Sequence, residues 1–361
     1  MQVCVCTVTN HPEDARILHR QIRALLDAGH KITYIAPFRA CNVTPWPDVI
    51  AVDVPRAAGR RRTAALRTAL SAARRLLARY APAVDLVLLH DPELLLAVPR
   101  SARHKVVWDV HKDTLMAARG WLPRPVVPLA RPYLRYLETT AERRYRLLFA
   151  DEGHRARFRA DHPVVPNTTY IADAPPEPPG DRRVVHIGHL SVARGALDLI
   201  EAARLLGGRG IETELIGAAD LEIRPLLRAA QREGVLRWYG YVPNDRALRM
   251  AEGALAGLAL LHDDPGCRRS TPTKVIEYMA HGIPVITTPN PQALDLVEPA
   301  GAGIVVPFED PEAVADAAVR LRDDPVTRDE MAKRGYDTAR ARFHWPQDAE
   351  AFVATLEGWA S

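Results

Sequence analysis

The chain has 361 residues, of which 47% are hydrophobic and 25% are charged, with four cysteines and a net charge of +4. This length exceeds what one hydrophobic core usually supports, so two domains are expected, and the composition excludes an intrinsically disordered protein. No apolar run reaches the roughly eighteen residues of a membrane span, and four scattered cysteines exclude a disulfide framework.

The N-terminus, MQVCVCTVTN, has no basic leader or cleavage site and alternates like a strand. This pattern predicts a cytoplasmic protein. Cys4 and Cys6 share one face of that strand without a nearby pair of histidines, so they are predicted to be buried free thiols rather than metal ligands. Arginine outnumbers lysine 43 to 5, which indicates a GC-rich bacterial source.

Strand and helix signals alternate along the first half of the chain. A helix is predicted over residues 13–28 and ends at Gly29. The predicted strands are residues 3–8, 31–36, 49–54, 85–90, 105–109, 147–150 and 164–165. Alternation of this kind predicts a parallel sheet covered by helices.

The segment 173–182, DAPPEPPGDR, is rich in proline and poor in apolar residues, which predicts a linker. A second alternation follows it, so the predicted domains are 1–172 and 183–343, with a closing segment over 344–361. The predicted strands of the second domain are 184–187, 212–216, 235–239, 257–261, 284–287 and 303–306. The last predicted helices are 311–323, 326–341 and 346–359.

Charge is distributed unevenly between the two halves. Residues 1–170 hold 27 Lys and Arg against 15 Asp and Glu, and the remainder holds 21 against 29. Residues 59–80 contain seven arginines and no acid, with leucines at helical spacing. This segment predicts either a solvated helix whose leucines pack on a sheet, or a helix whose arginines contact anionic lipid or an anionic acceptor. Nucleic acid is not favoured, because no aromatic residues interleave with the arginines.

The segment 270–288, STPTKVIEYMAHGIPVITT, combines three signals. A small polar pair precedes Pro272, which suits the first position of a helix over residues 272–281. Gly282 suits the left-handed cap, and residues 285–286 follow as a buried strand. The N-terminus of such a helix binds anions, and Glu277 would lie about one and a half turns inside it. A scaffold role for this helix–glycine–strand unit is the alternative.

Polar clusters follow several predicted strands. In the second half, residues 188–195 read GHLSVARG, where glycine lets the backbone approach a phosphate and arginine neutralises it. In the first half, residues 10–16, 90–93 and 109–113 follow three strands of one predicted sheet. Capping could explain one such cluster, but three at the same sheet edge favour a site.

The sequence K-x-x-E-Y-M-A-x-G-x-P-V from Lys274 resembles the family-four retaining glycosyltransferases, also called glycosyl transferases group one. The motifs D-x-R-I at 14–17, H-D-P-E-L at 90–94 and D-V-H-x-D at 109–113 resemble one subgroup of that family. The resemblance covers the whole chain and implies an α/β fold of the GT-B type. In that fold two Rossmann-like lobes with parallel sheets face each other across a cleft, and the last helix crosses back to the first lobe.

The resemblance further implies transfer of a sugar, with retention, from a UDP- or GDP-sugar to a hydroxyl acceptor, without a metal or another resident cofactor. His111, Arg194 and Lys274 are implied as catalytic. The implied donor-binding residues are Gly188, His189, Arg194, Tyr241, Val242, Arg269, Ser270, Thr271, Thr273, Lys274 and Glu277. The implied acceptor-side residues are Asp14, Arg16, His90, Asp91 and Asp113.

Three positions depart from the family pattern. Arg269 and Lys112 stand where many relatives carry glutamate, and His189 stands where arginine is usual. Two alternatives therefore stay open: a GT-B epimerase or phosphorylase, and a catalytically degenerate protein that binds nucleotide sugars. The expected partners are a nucleotide-sugar donor, a hydroxyl acceptor (lipid-linked, saccharide or small molecule) and an anionic membrane surface at the inner face, but not nucleic acid.

Overall fold

The computed structural model describes residues 1–57, 62–111, 114, 126–174, 176–264, 267–269 and 271–361. They form two compact units. The first unit comprises Met1–Asn167 and Pro346–Ser361, and the second comprises Thr168–Trp345. The segment 173–182, predicted as a linker, thus lies within the second unit, where the Tyr336 hydroxyl donates a hydrogen bond to the Ala172 carbonyl at 2.6 Å.

The first unit is built on a six-stranded parallel sheet with the order β3-β2-β1-β4-β5-β6. Its strands are β1 (Gln2–Cys6), β2 (Lys31–Ala36), β3 (Val49–Asp53), β4 (Leu86–Leu89), β5 (Val106–Val110) and β6 (Arg146–Phe149). The connecting α-helices are α1 (Arg23–Asp27), α2 (Phe38–Cys41), α3 (Arg62–Tyr80) and α4 (Val127–Arg144). A π-helical segment, Ala15–Ile22, leads into α1.

The second unit repeats this arrangement, with six parallel strands in the order β12-β11-β10-β7-β8-β9. Its strands are β7 (Arg183–Ile187), β8 (Glu212–Ile216), β9 (Arg237–Trp238), β10 (Ala256–Ala259), β11 (Val285–Thr287) and β12 (Gly303–Val305). Its helices are α5 (Ala196–Gly208), α6 (Arg224–Arg232), α7 (Asn244–Ala251), α8 (Thr273–Ala280), α9 (Pro291–Ala300), α10 (Pro311–Asp323) and α11 (Pro325–Arg342). The last helix, α12 (Trp345–Ala360), belongs almost entirely to the first unit.

The central strands are buried because helices cover both faces of each sheet, which explains their continuous apolar sequences. Every residue of β4 and β10 is buried. The leucines of the arginine-rich helix α3 also face inward, with Leu66 and Leu77 in the core beside β4, while Arg67, Arg74 and Arg75 are exposed. Cys4 and Cys6 are buried free thiols, as predicted, and burial raises the pKa of Cys4 to about 12.

Most predicted elements are present, with three differences. Residues 164–165 form only an isolated bridge, from Val164 to Phe149, instead of a strand. The first helix begins at Ala15 instead of Glu13, because the Asp14 side chain caps it by accepting from the backbone N–H groups of Arg16 and Ile17, and its first part, Ala15–Ile22, is π-helical. Pro272 precedes α8 as its N-cap residue, since its ψ of 86° is not helical.

In the described part of the chain, no helix combines the length and apolar character required to cross a membrane.

Gly257 in β10 makes room for the aromatic ring of Tyr278 in α8. A Cβ atom on residue 257 would lie only 2.4–2.6 Å from three carbons of that ring. The Tyr278 ring is fully buried, so it has no free space into which to move. The absence of a side chain at residue 257 therefore sets how closely α8 packs on the sheet.

Gly257→Ala should destabilise the second unit by about 1–3 kcal/mol, because overpacking forces the buried ring and α8 to shift. The measurement is the free energy of unfolding from denaturant titration. Gly207→Ala is the matched control: Gly207 lies in α5, where an added methyl group would meet nothing within 4 Å, and alanine there should stabilise the helix slightly. Equal stability of the two variants would contradict the packing argument.

Candidate functional site

The strand order itself indicates where ligands bind in each unit. Both sheets have the order 3-2-1-4-5-6 when their strands are numbered within the unit. In such sheets ligands bind outside the carboxyl ends of the strands, at the point where the order reverses. That point lies between β1 and β4 in the first unit and between β7 and β10 in the second.

In the second unit, α8 directs its N-terminus to this region. Its N-cap residue, Pro272, has no side chain that could accept from the first backbone N–H groups. Thr271 precedes it, with its hydroxyl 3.5 Å from Gln292 Oε1, and Thr273 opens the helix. Unsatisfied N–H groups and the helix dipole make this end of α8 suitable for an anion.

Lys274 adds a buried cation at the same place. Its side chain is 7% exposed, and its Nζ lies 3.3 Å from His186 Nε2. The pKa of Lys274 is lowered to about 7, mainly by burial and to a smaller extent by the nearby Arg194 guanidinium. Binding of an anion beside Nζ would favour the charged form of the lysine. The site therefore suits a negatively charged ligand.

Arg194 and Gly188 belong to the loop that follows β7. Arg194 is exposed and, within the described residues, its guanidinium forms no ion pair or side-chain hydrogen bond. Gly188 has a φ of +121°, a conformation that favours glycine, and a Cβ placed on it would lie 3.6 Å from Lys274 Nζ. The structure therefore brings Gly188 and Lys274 together, with Arg194 close enough to affect the lysine pKa.

Glu277 lies three residues after Lys274 in α8 and is 5% exposed. The amide of Asn244, the first residue of α7, donates to Glu277 Oε1 at 3.0 Å. This contact fixes the carboxylate orientation. Asn244 is absent from the sequence-based site, although an asparagine that opens a helix after a strand is a detectable signal.

The remaining donor-side predictions have mixed outcomes. His189 Nε2 lies 2.8 Å from Asp220 Oδ1, and both side chains are exposed. Tyr241 is also exposed, while Val242 packs against the core. Their roles toward a ligand stay predictions. Ser270 and the side chain of Arg269 lie outside the described residues.

In the first unit, Asp109 is the centre of the polar cluster that follows β4 and β5. Its carboxylate is fully buried and forms a bidentate ion pair with Arg16, with both N–O distances at 2.7 Å. Arg16 also donates to the carbonyl of Val165 and to Asn167, and Gln21 donates to Asp109 at 3.1 Å. The Arg16 guanidinium holds the pKa of Asp109 well below its usual range, although burial alone would raise it.

Two histidines contact this carboxylate. His90 Nδ1 lies 3.1 Å and His111 Nδ1 lies 3.5 Å from Asp109 Oδ2. Burial lowers the pKa of His90, so that ring is neutral at pH 7. The nitrogens of both rings are buried and lack a well-directed hydrogen bond within the described residues. Buried polar atoms without a partner are uncommon in proteins, so these nitrogens mark the cluster as a candidate site.

His90, Asp109 and His111 also bring metal-ligating atoms within 4.8 Å of one another. A divalent cation would have to bind Asp109 beside the buried guanidinium of Arg16, which already pairs with both carboxylate oxygens. Like charges in a buried site repel strongly. The donor set thus suits a neutral hydroxyl ligand better than a metal ion.

Asp91 and Asp14 have structural contacts that the sequence did not reveal. Asp91 is fully buried and accepts hydrogen bonds from the Thr7 hydroxyl and the backbone N–H groups of Val8 and Thr9. It therefore holds the loop after β1 against the end of β4. Asp14 caps the first helix. Their predicted acceptor-side roles stay predictions, and Asp113 lies outside the described residues, as does Lys112.

A family model matches the part of the chain that contains this region of the second unit. Residues 181–324 match the family model for glycosyl transferases group 1. These residues include β7, α8 and every donor-side residue described above. The predicted resemblance to group 1 glycosyl transferases is thus confirmed for this region.

Curated relatives match similar stretches. The chain is 28% identical over 137 residues to the putative colanic acid biosynthesis glycosyltransferase WcaL of Salmonella typhimurium, covering 37% of the chain and 34% of the relative. It is 28% identical over 166 residues to the alpha-D-kanosaminyltransferase of Streptomyces kanamyceticus, covering 44% and 41%. The matched stretches thus span well under half the length of these relatives.

Solved structures extend the similarity in fold to the whole chain. Sucrose-phosphate synthase of Thermosynechococcus elongatus has a TM-score of 0.73 at 16% identity, covering 99% of this chain and 98% of that one. HepE of Anabaena in complex with UDP-glucose has a TM-score of 0.70 at 15% identity, covering 99% and 100%. Together with the two parallel six-stranded sheets, these similarities confirm the predicted GT-B fold of two Rossmann-like units.

Arg16→Leu should destabilise the first unit by about 3–5 kcal/mol at pH 7, because it leaves the Asp109 carboxylate buried without its partner. The loss should shrink as the pH falls. Without Arg16 the pKa of Asp109 in the folded state would lie above its unfolded value, so protonation would remove the charge that causes the destabilisation.

The measurement is the free energy of unfolding between pH 4 and 7. Arg23→Leu is the matched control, since it breaks an exposed ion pair with Asp27 and should cost less than about 1 kcal/mol. An equally small loss from Arg16→Leu would show that the buried pair is not important for stability. A large loss that is independent of pH would show that the unpaired carboxylate of Asp109 is not its cause.

Proposed function

We propose that the chain is a retaining glycosyltransferase that moves a sugar from a UDP- or GDP-sugar to a hydroxyl acceptor. The observation that carries the proposal is the position of α8. Its N-terminus, the buried Lys274 and the carboxylate of Glu277 lie together at the strand ends of the region that matches group 1 glycosyl transferases. HepE, a solved protein of similar fold, is described in complex with UDP-glucose.

In this proposal the second unit binds the donor. The diphosphate lies at the N-terminus of α8, where backbone N–H groups, Lys274 and Arg194 offset its charge. Glu277, oriented by Asn244, accepts hydrogen bonds from the ribose hydroxyls. Backbone groups near Tyr241 and Val242 bind the base.

Catalysis follows from the charge that develops on the leaving group. As the bond between sugar and phosphate breaks, the departing diphosphate gains negative charge, and cations that are already in place stabilise it without reorganisation. Lys274 and Arg194 supply this charge, so we propose that no divalent metal and no other resident cofactor is needed. In a transfer with retention, the diphosphate itself lies on the face that the acceptor hydroxyl enters, so no separate enzymic base is assigned.

The first unit supplies the residues for the acceptor and the reacting sugar. His111 and His90 lie against the carboxylate of Asp109, which Arg16 holds through a bidentate ion pair. We propose His111 as the residue nearest to the reacting centre. One relative is named as a putative glycosyltransferase of colanic acid biosynthesis and another as an alpha-D-kanosaminyltransferase. We propose an acceptor in glycan, glycolipid or natural-product biosynthesis in a bacterial cytoplasm.

Glu277→Ala should weaken nucleotide-sugar binding about tenfold or more, because hydrogen bonds to a charged group contribute about 1.5–3 kcal/mol each. The measurement is calorimetric titration with a panel of UDP- and GDP-sugars, followed by mass spectrometry for slow donor hydrolysis with and without EDTA. Glu298→Ala, an exposed glutamate in the neighbouring helix α9, is the control and should bind as the unmodified protein does.

Each result of this experiment has a clear meaning. Hydrolysis or transfer that is insensitive to EDTA supports a metal-independent glycosyltransferase. Tight binding without turnover would instead indicate a degenerate nucleotide-sugar-binding protein. Loss of turnover in EDTA would show that a divalent metal is required and would contradict the metal-independent mechanism, and failure of every donor to bind would overturn the proposal.

We also propose that the first unit contacts an anionic membrane surface. Helix α4 exposes Leu129, Tyr133 and Tyr136, which are 79%, 54% and 64% exposed and lie on one helical face. Arg131 and other exposed arginines flank them. A basic helix that exposes aromatic and leucine side chains is typical of segments that lie in a membrane interface.

Replacing Leu129, Tyr133 and Tyr136 together by serine should abolish co-sedimentation with anionic vesicles. The unmodified protein should sediment with them at low salt and less at high salt, since each surface cation contributes about 1 kcal/mol that is screened within a Debye length. Replacing the exposed leucines Leu221 and Leu226 of the second unit by serine is the control. Equal sedimentation with neutral and anionic vesicles would favour a soluble acceptor.

A further inference from the structure

A buried polar link joins β7 to α8 beneath the proposed diphosphate site. His186 lies in β7 and is fully buried, although it is surrounded in sequence by apolar residues. Its Nδ1 lies 3.0 Å from the carbonyl oxygen of Leu258 in the neighbouring strand β10. A carbonyl oxygen can only accept a hydrogen bond, so Nδ1 carries the hydrogen.

This tautomer determines what the other ring nitrogen can do. The pKa of His186 lies well below its usual range, mainly because the ring is buried and to a smaller extent because of the positive charge of Lys274. The ring is therefore neutral. With the hydrogen on Nδ1, Nε2 has a free lone pair and can only accept. Lys274 Nζ, at 3.3 Å, therefore donates to His186 Nε2.

We propose that His186 is a positioning residue, which directs the Lys274 ammonium group to the end of β7 where the donor diphosphate binds. The inference deepens the proposed function and rests on it. One N–H of Lys274 is fixed on the ring, and the ammonium group lies beside Gly188, at the first turn of the phosphate-binding loop. Among the described residues the other N–H groups of Lys274 have no hydrogen-bond partner, so they can bind phosphate oxygens.

The link also helps Lys274 to stay protonated. Burial and Arg194 lower the pKa of this lysine, while the negative charge of Glu277 acts in the opposite direction. An acceptor on the ring stabilises the ammonium form, because hydrogen bonds to the charged form favour it. An apolar residue at position 186 would remove that acceptor and lower the pKa of Lys274 further, so the lysine would lose its proton at a lower pH.

Tyr278 fixes the rest of α8 relative to the same strands. Its hydroxyl accepts from the Ile187 backbone N–H at 2.7 Å and lies 3.4 Å from the Leu258 carbonyl oxygen. Lys274 and Tyr278 are one helical turn apart, so each turn of α8 has its own polar contact with β7. Tyr278 therefore already fixes α8 on the sheet. The contact between His186 and Lys274 is not needed for that purpose, and we assign it to positioning the lysine.

The first test needs no ligand. The chain has five lysines, so the titration of Lys274 can be followed by NMR after ¹³C-labelling of lysine Cε, with Lys274→Met for assignment. In His186→Phe the titration midpoint should fall clearly below that of the unmodified protein, and in His186→Gln, whose amide oxygen can accept from Lys274, it should fall less. Unchanged midpoints in both variants would overturn the proposal.

The second test measures donor binding. His186→Phe should weaken the binding of UDP-glucose, or of the donor selected by the screen, about ten- to hundredfold at pH 8. The weakening should be smaller at pH 6, where a larger fraction of Lys274 is protonated in both proteins than at pH 8, and His186→Gln should restore part of the affinity. In a Lys274→Met background, His186→Phe should have no further effect.

The controls separate the possible failures. The groups near Lys274 that also titrate or carry charge are Arg194, Glu277, Cys267 and His189, and all are unchanged in these variants. The same weakening by His186→Phe in the Lys274→Met background, or at both pH values, would reduce His186 to a structural residue. If the unmodified protein binds no nucleotide sugar, the proposed function fails, while the NMR midpoints still decide the role of His186. Should His186→Phe not fold, His186→Gln alone provides both readouts.

Discussion

The carbonyl oxygen of Leu258 is the point on which the donor-side geometry depends. It lies in the buried centre of the second sheet, and it is contacted by His186 from β7 and by Tyr278 from α8. Buried polar groups must be paired, so β7, β10 and α8 have little freedom to slide relative to one another. Gly257, next to Leu258, sets the distance between helix and sheet by leaving room for the Tyr278 ring. The position of Lys274 follows from this arrangement, since it lies one turn before Tyr278.

The two units differ in how the charges of their candidate sites are paired. In the first unit, Arg16 and Asp109 neutralise each other through two short contacts, and His90 and His111 lie against the paired carboxylate. In the second unit, Lys274 has a neutral histidine as its side-chain partner, and Arg194 has no carboxylate partner among the described residues. A site with paired charges suits neutral hydroxyl groups, whereas a site with surplus positive charge suits a diphosphate. The local environments thus match the two proposed types of ligand, even though the net charge of the first half of the sequence is positive and that of the second half is negative.

The sequence predicts the fold well because the strands are short apolar runs and the turns carry strong signals. The pattern predicts Gly282 as the left-handed cap of α8, and its φ of +61° confirms this. The positions of Lys274 and Glu277 in that helix are also predictable, since helical spacing fixes them. The sequence could not predict which polar side chains bind other groups of the chain instead of a ligand. Asp14 has the pattern of a ligand-binding residue, but a helix cap has the same sequence signature. Asn244 reaches Glu277 across 33 residues, and spacing along the chain does not reveal such a contact.

His186 shows why a polar residue within an apolar strand is informative. Residues 183–187 read RVVHI, and a strand prediction accepts the histidine as one tolerated exception. In the structure, that exception is the residue that contacts the buried lysine. Replacing the histidine and lysine by well-packed apolar residues would be expected to leave stability unchanged or to increase it, because desolvation of a buried cation is costly. A buried cation that stability does not require is most simply explained by a ligand that does require it. The buried position of Lys274 is therefore itself an argument that an anion completes this site.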